Sequence, residues 1–436
     1  MNPKEARKKI DKRMLADGMS QIIDLEKSHG SWLVDGRDDR EYLDLFSMFA
    51  SLSVGYNHPY VVKNKERLMS SAMNKPTNSD VYSVEMAEFV STMGRVAQPE
   101  YLPYAFYIEG GGVAVENALK TAFDWKVRKN LEKNIKNKGS QIIHFKECFH
   151  GRTGYTLSLT DSPDPRKTLY FPKFDWPRID NPKIDFPLTG ESLASVKEKE
   201  KIAIQQIKSA LAANKDDIAA LIIEPIQGEG GDNHFREEFL TELKTLSLEE
   251  EFLLIYDEVQ TGVGITGNMW AHQAFSEEAR PDIISFGKKT QVCGIFASNR
   301  LDEVENHVFS ESSRINSTWG GSLVDMVRFT LYLEIIENED LVNNAKEMGN
   351  HLSKCLDNLQ NNHPAYISNI RNRGLFGAFD LNTGDERDKL ADIILNEGAM
   401  MLGCGKKSIR FRPHLNITSD EIDSGFEMID TALKRL

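Results

Sequence analysis

Two places directly after apolar, strand-like runs carry side chains that could do chemistry. Asp257 ends the run FLLIYD, and the adjacent Lys288 and Lys289 follow DIISFG. A strand-end acid could pair with a cationic ring nitrogen, although a solvated carboxylate or a helix cap fits equally well. Successive strand side chains point to opposite faces, so Asp257 and Glu258 cannot both face one ligand. A lysine near a buried site can form a Schiff base with an aldehyde, whereas most lysines are solvated, and spacing alone does not choose between the two.

A glycine run follows another strand-like segment. Glu109, Gly110, Gly111 and Gly112 come directly after AFYI and precede a helix predicted over 113–130. Glycines that open a helix present bare backbone N–H groups at the positive end of the helix dipole, which suits a phosphate. An ordinary tight turn is the competing interpretation, because glycine has many other uses in turns.

Two loops add candidate ligand-binding side chains. In KECFHGRTG (146–154), Phe149 could cover an aromatic ring and Arg152 could hold a carboxylate by a two-pronged contact. The alternatives are a core phenylalanine and a surface arginine, and His150 is more typical of a hydrogen-bonded structural histidine. Glu229 lies in a glycine-bracketed loop, so its carboxylate either moves or is simply exposed.

The elements that must position these residues alternate between apolar strands and amphipathic helices. The strand-like runs are AFYI, QIIHF, AALIIE, FLLIYD and DIISF. Apolar strands that alternate with helices predict an α/β fold with a mostly parallel, doubly wound sheet. We expect an N-terminal segment (1–60) that contributes to a smaller domain, a large domain (61–325) and a C-terminal small α+β domain (326–436).

In such a sheet, ligands bind beyond the carboxyl ends of the strands. A ring-nitrogen acid, a Schiff-base lysine, a phosphate cradle and a carboxylate-binding arginine would all lie there. Together they are the features that a pyridoxal 5'-phosphate (PLP) enzyme needs, although none of them is specific alone.

Composition narrows the possible partners and surroundings. The formal net charge of −13 argues against nucleic acid and anionic membranes as partners. The four cysteines lie far apart without a CxxC spacing, which argues against a disulfide framework or a metal site. The charged N-terminus lacks the apolar core of a signal peptide, and no apolar run could span a membrane. We therefore expect a soluble, cytoplasmic protein.

The motifs resemble those of the class-III PLP-dependent aminotransferases. The likeness runs from GSWLVDGRDDREYLDL to SIRFRPHL, nearly the whole chain, and its most specific part is LLIYDEVQTGVGITG followed by RPDIISFGKK. It implies PLP-transferase fold type I. FKECFHGRTGYTLSLTDS, SFGKKTQVCG and RINSTWGG are most similar to the branch that acts on L-lysine. Gly110 and Ile265 stand where other branches usually carry serine and arginine, which fits the lysine branch.

The resemblance implies a set of roles around the cofactor. Lys288 would form the Schiff base and shuttle the proton, and Asp257 would keep the pyridine nitrogen protonated. The remaining contacts would be made by Val259 and Phe149 on the ring faces, Gln260 on the phenolic oxygen, Gly111 and Gly112 on the phosphate, and Ser317 and Thr318 of the partner subunit on the phosphate. The last two imply a homodimer with shared active sites.

The resemblance also implies the reaction. The terminal amino group of L-lysine would pass to 2-oxoglutarate, giving L-glutamate and 2-amino-6-oxohexanoate, which cyclises to piperideine-6-carboxylate. Arg152 would bind the distal carboxylate, and Arg410 the α-carboxylate of 2-oxoglutarate. As a hypothesis, Glu229 would pair with Arg410 while lysine is bound and swing away for 2-oxoglutarate, because neighbouring glycines permit movement.

Three alternatives stay open on the sequence. Another ω-aminotransferase, acting on ornithine, GABA or diaminobutyrate, would have the same cofactor residues. GVGITG (262–267), preceded by a predicted strand and followed by a predicted helix, satisfies a dinucleotide-binding pattern, with Asp282 further on. Asp257 and Glu258 would repel a pyrophosphate there, and Asp282 precedes its strand instead of ending one. A PLP aminomutase or decarboxylase is disfavoured mainly by the resemblance.

Overall fold

The computed structural model describes residues 1–436 and is built around a seven-stranded sheet. The strands are β1 (Trp32–Val34), β2 (Glu41–Asp44), β3 (Tyr104–Ile108), β4 (Gln141–Phe145), β5 (Arg178–Ile179), β6 (Ile218–Ile223), β7 (Ile226–Gln227), β8 (Asn233–His234), β9 (Leu253–Asp257), β10 (Ile283–Phe286), β11 (Cys293–Ala297), β12 (Ser368–Arg373), β13 (Phe376–Asp380), β14 (Ala399–Met400), β15 (Leu402–Cys404) and β16 (Ser408–Phe411).

Helices pack around the sheets. They are α1 (Pro3–Asp11), α2 (Ser47–Ala50), α3 (Pro59–Lys63), α4 (Lys65–Met73), α5 (Val84–Val96), α6 (Gly111–Glu132), α7 (Thr156–Leu159), α8 (Gly190–Ala213), α9 (Glu237–Glu249), α10 (Leu323–Asn338), α11 (Leu341–Asn362), α12 (Gly384–Glu397) and α13 (Ser419–Leu433). Short 3-10 helices include Pro165–Lys167 and Lys288–Thr290. No helix combines the length and apolarity needed to cross a bilayer.

The large sheet has the order β3-β11-β10-β9-β6-β4-β5, and only β11 runs antiparallel to its neighbours. All residues of β6 and β9 are buried, as expected for strands covered on both faces by helices. The five predicted strands are present to within one residue at each end. The predicted α/β fold with a mostly parallel sheet is confirmed.

Two smaller sheets involve the ends of the chain. Strand β14 pairs in parallel with β2, with Ala399 opposite Leu43, so the N-terminal segment joins the C-terminal part of the chain. Strands β12, β13, β16 and β15 form an antiparallel sheet. The exact division into 1–60, 61–325 and 326–436 stays a prediction.

The glycine-rich segment GVGITG does not open a helix, contrary to the sequence interpretation. Residues 259–266 form consecutive turns and 267–270 a bend, and the next helical element is the short 3-10 helix Ala271–Ala274. A dinucleotide-binding motif needs its glycines at the N-terminus of an α-helix, where N–H groups face the pyrophosphate. The structure therefore removes the main support for the nucleotide-dependent alternative.

Candidate active site

Asp257 lies at the carboxyl end of β9, buried in the centre of the sheet. Its Oδ2 accepts a hydrogen bond from His150 Nδ1 at 2.8 Å. Its Oδ1 accepts from the backbone N–H of Val259 and from Ser285 Oγ, both at 3.1 Å. Glu258 points to the other face, where its Oε1 is 2.8 Å from His272 Nδ1. The strand alternation thus separates the two acids, and Asp257 is the one held beneath the crevice.

His150 is part of this site, which the sequence did not reveal. Its side chain is buried, and its Nε2 has no hydrogen-bond partner in the protein. Residue 150 and Asp257 are far apart in the chain, and they meet because the loop after β4 folds over the end of β9. The only available signal was the place of His150 directly after a strand in the same sheet.

The two adjacent lysines have different environments. Lys289 is 1% exposed, and its Nζ donates to the carbonyl of Gln260 at 2.8 Å. Lys288 makes no side-chain hydrogen bond and is half-buried at the sheet end, with a backbone φ of 52°. Burial and then the positive charge of Arg410 lower the pKa of Lys288 to about 8. Lys288 therefore offers the freer amine, since the amine of Lys289 is engaged by the carbonyl of Gln260.

The glycine run forms a narrow cradle at the start of α6. Gly110 has a φ of 93°, and no side chain caps the helix. A Cβ at Gly111 would lie 3.1 Å from Val259 Cγ1, and one at Gly112 would lie 3.3 Å from Thr153 Cγ2. The first N–H groups of the helix are thus kept free of side chains beside Asp257 and Lys288, as a phosphate site requires.

A buried network fixes Gln260. Its Oε1 accepts from Arg412 Nε at 3.0 Å and from Arg412 Nη2 at 2.9 Å. Arg412 also donates to Asp232 Oδ2 at 2.9 Å, and its guanidinium lies 3.2 Å from the centroid of the Phe376 ring. A Cβ at Gly228 would lie only 2.3 Å from Gln260 Oε1, so this position requires glycine. With its oxygen held by Arg412, Gln260 has its amide N–H groups left as donors.

Glu229 contacts two cations. Its Oε2 lies 3.1 Å from Arg410 Nη1, and its Oε1 lies 2.8 Å from Lys167 Nζ. Burial favours the neutral acid, but Arg410 and Lys167 outweigh it and lower the pKa of Glu229 to about 2. The carboxylate is therefore ionised throughout the physiological range. Nothing in the local sequence pattern distinguishes Lys167 from a surface lysine, so only the fold places it beside Glu229.

Arg152 and Lys167 line the same cavity, of about 830 Å³, with Glu116 and several aromatic side chains. Arg152 is exposed and has no ion-pair partner, so its charge is available to an incoming anion. Phe149 is half-buried, and Lys167 Nζ lies 5.7 Å from the centroid of its ring. Lys167 thus joins the cavity that holds Arg152 to Glu229, which it contacts at 2.8 Å.

A buried carboxyl group lies behind the crevice. Glu224 Oε1 accepts from the backbone N–H of Phe149 at 2.9 Å, and Oε2 accepts from that of Gly228 at 3.1 Å. Burial raises the pKa of Glu224 to about 7. It fastens the loops that carry Phe149 and Glu229 to each other.

Ser317 and Thr318 lie away from these groups, on a loop at the surface. Ser317 Oγ accepts from the backbone N–H of Gly320 at 3.1 Å, and the carbonyl of Thr318 accepts from Ser79 Oγ at 3.0 Å. The Thr318 side chain is exposed. Their contact with the phosphate of a partner subunit's site stays a prediction.

A nucleophilic lysine, a buried acid and a helix-end cradle at one edge of a parallel sheet define a class of enzyme. The class-III aminotransferase model matches residues 14–433, and the chain belongs to this PLP-dependent family. The residues present fit PLP, since the cradle has room that any side chain would fill and Lys288 has an unengaged amine.

The relatives narrow the class further. The chain is 46% identical to the L-lysine-epsilon aminotransferase of Mycobacterium tuberculosis, over 99% of this chain and 96% of the relative. The enzyme of the same name from Streptomyces clavuligerus is 43% identical, over 99% and 95%. A solved lysine aminotransferase from M. tuberculosis covers 100% of both chains with a TM-score of 0.97 at 46% identity.

Proposed function

We propose that this enzyme is an L-lysine 6-aminotransferase. It transfers the terminal amino group of L-lysine to 2-oxoglutarate, which yields L-glutamate and 2-amino-6-oxohexanoate, and the latter cyclises to piperideine-6-carboxylate. The full-length likeness to lysine ε-aminotransferases carries this proposal. Arg152 on the cavity wall and Arg410 beside Glu229 support it, because both substrates carry carboxylates that need cationic partners.

The site residues have separate tasks in this reaction. Bound PLP supplies an electron-accepting ring that stabilises negative charge at the carbon bearing the transferred amine. Asp257, held by His150 and Ser285, keeps the ring nitrogen protonated. Lys288 removes and returns the proton at that carbon through Nζ. Val259 and Phe149 would cover the two ring faces, and Gln260 would donate to the phenolic oxygen.

The two substrates place different demands on the arginines. When the terminal amine of lysine is at the reacting centre, the lysine α-carboxylate lies at the far end and binds Arg152. Glu229 then neutralises Arg410, at 3.1 Å. 2-Oxoglutarate brings a second carboxylate next to its keto group, so Glu229 leaves Arg410 and that carboxylate binds there. The pairing lets one site accept a donor with one anionic end and an acceptor with two.

We also propose a homodimer with shared active sites. The backbone N–H of Asn78 donates to the carbonyl of Trp319 at 3.0 Å, so the segment that follows Asn78 lies beside Ser317 and Thr318. This segment carries exposed apolar side chains. Near this junction Tyr82 and Val84 are 77% and 71% exposed. An apolar surface of this kind is typical of a protein interface. A partner seated on it would bring its own Ser317 and Thr318 toward the cradle at Gly111.

Two measurements test the dimer. Sedimentation gives the mass in solution. Co-refolding inactive Lys288→Ala chains with inactive Thr318→Ala chains should restore activity, since one site of each mixed dimer would carry neither substitution. A monomer, or a mixture as inactive as its components, would contradict shared sites.

The four free cysteines support the further proposal that the enzyme works in the reducing cytoplasm.

The function itself is tested with purified, PLP-loaded protein. We expect L-lysine and 2-oxoglutarate to give glutamate and the cyclic imine at equal rates. Glutamate without the imine would mean that the α-amine is taken and that the orientation is wrong. Neither product would refute lysine as donor, and a panel of ornithine, GABA and diaminobutyrate would then identify the amine that the site accepts.

A further inference from the structure

The carboxylate of Glu229 is shared between Arg410 and a lysine that belongs to neither the cofactor site nor the family motifs. Lys167 ends the short 3-10 helix Pro165–Lys167, and its Nζ is closer to Glu229 than Arg410 is, at 2.8 Å against 3.1 Å. The Lys167 and Glu229 side chains are 27% and 24% exposed, whereas Arg410 is 5% exposed. The arrangement is thus a buried cation and a half-buried cation joined by one anion.

The charges in this cluster do not cancel. Arg410 and Lys167 are both cationic, and Glu229 is their one anionic partner. Without Lys167 the pair of Arg410 and Glu229 would be neutral, and an incoming carboxylate would leave an excess negative charge in a partly buried place. With Lys167 the three side chains carry one net positive charge, so the carboxylate of an incoming acceptor makes the cluster neutral. Partly buried charges are stable only when they are paired.

We infer that Lys167 is a positioning residue that determines acceptor specificity. It holds Glu229 through Oε1 while the carboxylate next to the keto group of the acceptor replaces Glu229 Oε2 on Arg410. This inference rests on the proposed lysine and 2-oxoglutarate function and assigns the residue that retains the displaced Glu229. Lys167 is placed for this task because it also lines the cavity that contains Arg152, on the outer side of Glu229.

Binding of ligands with two carboxylates should depend on Lys167, whereas binding of ligands with one should not. A donor such as lysine leaves Glu229 paired with Arg410, so its binding does not depend on the positive charge of Lys167. A dicarboxylate requires Glu229 to leave Arg410, and Lys167 then becomes its only cationic partner. Removal of Lys167 should therefore weaken the binding of dicarboxylates selectively. A purely structural role would change both classes equally.

The test uses the PLP-loaded holoenzyme and glutarate, which has the carboxylates of 2-oxoglutarate without a reactive keto group. Calorimetry should show glutarate binding weakened about five- to tenfold by Lys167→Gln, the size expected for a partly exposed charge pair. Lys167→Arg should restore it. Butyrate, with one carboxylate, should bind both variants and the wild type within about twofold. The matched control is Lys173→Gln, an exposed lysine of the same segment without an ion pair, which should bind glutarate like the wild type.

Half-reaction kinetics complete the test. In Lys167→Gln we expect the KM for 2-oxoglutarate to rise about five- to tenfold with kcat nearly unchanged, and the single-turnover rate with L-lysine to stay within about twofold. Unchanged glutarate binding, or equal losses for glutarate and butyrate, would overturn the inference. Failure of the wild type to react with lysine would instead refute the proposed donor, and the glutarate measurements would still decide the role of Lys167.

Discussion

Replacement of Glu229 is the sharpest test of how the site handles two substrates. In the proposed mechanism glutamate, as an amino donor, would use Arg410 for the carboxylate next to its amine, so it would have to displace Glu229 from its 3.1 Å contact. Lysine needs no such displacement. Glu229→Gln keeps the shape and removes the charge, and Glu229→Ala removes the side chain. Both variants should accept glutamate more readily relative to lysine.

The size of the effect follows from the burial of the pair. The Glu229 side chain is 24% exposed and the Arg410 side chain 5% exposed, so the pair is screened more than a fully buried one. We assign about 1–1.5 kcal/mol to the Glu229–Arg410 contact, between the values for exposed and buried pairs. That corresponds to roughly a tenfold rise in the glutamate-to-lysine ratio of kcat/KM.

Single-turnover half-reactions provide the assay. PLP-loaded enzyme is mixed with L-lysine or L-glutamate, and the change in the cofactor absorption spectrum gives each rate. Glu242→Gln is the control, because Glu242 is exposed on α9 and forms no ion pair. If the ratio stays at the wild-type value in both Glu229 variants, Glu229 does not mask Arg410 and the proposed gate is wrong.

Three further outcomes follow from the site. Lys288→Ala should abolish transamination while PLP still binds, and borohydride treatment should no longer fix the cofactor to the protein; labelling at another lysine would contradict the assignment. Because burial lowers the pKa of Lys288 to about 8, its neutral amine becomes more abundant as pH rises through that value. The rate of covalent PLP capture by apoprotein should therefore increase from pH 7 to 9, and a flat profile would argue against this amine. Gly111→Val should weaken PLP binding at least about tenfold, because a Cβ there would lie 3.1 Å from Val259 Cγ1. Gly190→Val, with nothing within 4 Å of the added carbon, should leave PLP affinity in a fluorescence titration unchanged.

The amino-acid sequence by itself determined the strands of the large sheet and the residues at their carboxyl ends. β9 and β10 are continuous apolar runs that must be buried on both faces, and their ends necessarily lie at one edge. The strand pattern alone therefore places Asp257, Lys288 and the glycine cradle together. Local sequence was also sufficient to separate Asp257 from Glu258, since alternation along a strand depends only on backbone geometry.

Only the tertiary structure decided which polar groups meet. His150 reaches Asp257 from the loop after another strand, and Lys167 reaches Glu229 from a surface helix of three residues. Arg412 holds Gln260 from the position directly after β16, near the end of the chain. Lys288 and Lys289 are adjacent in the sequence, and only the fold gives their amines different surroundings. Such contacts depend on distances between chain segments that are remote in sequence, and neither periodicity nor residue type encodes those distances.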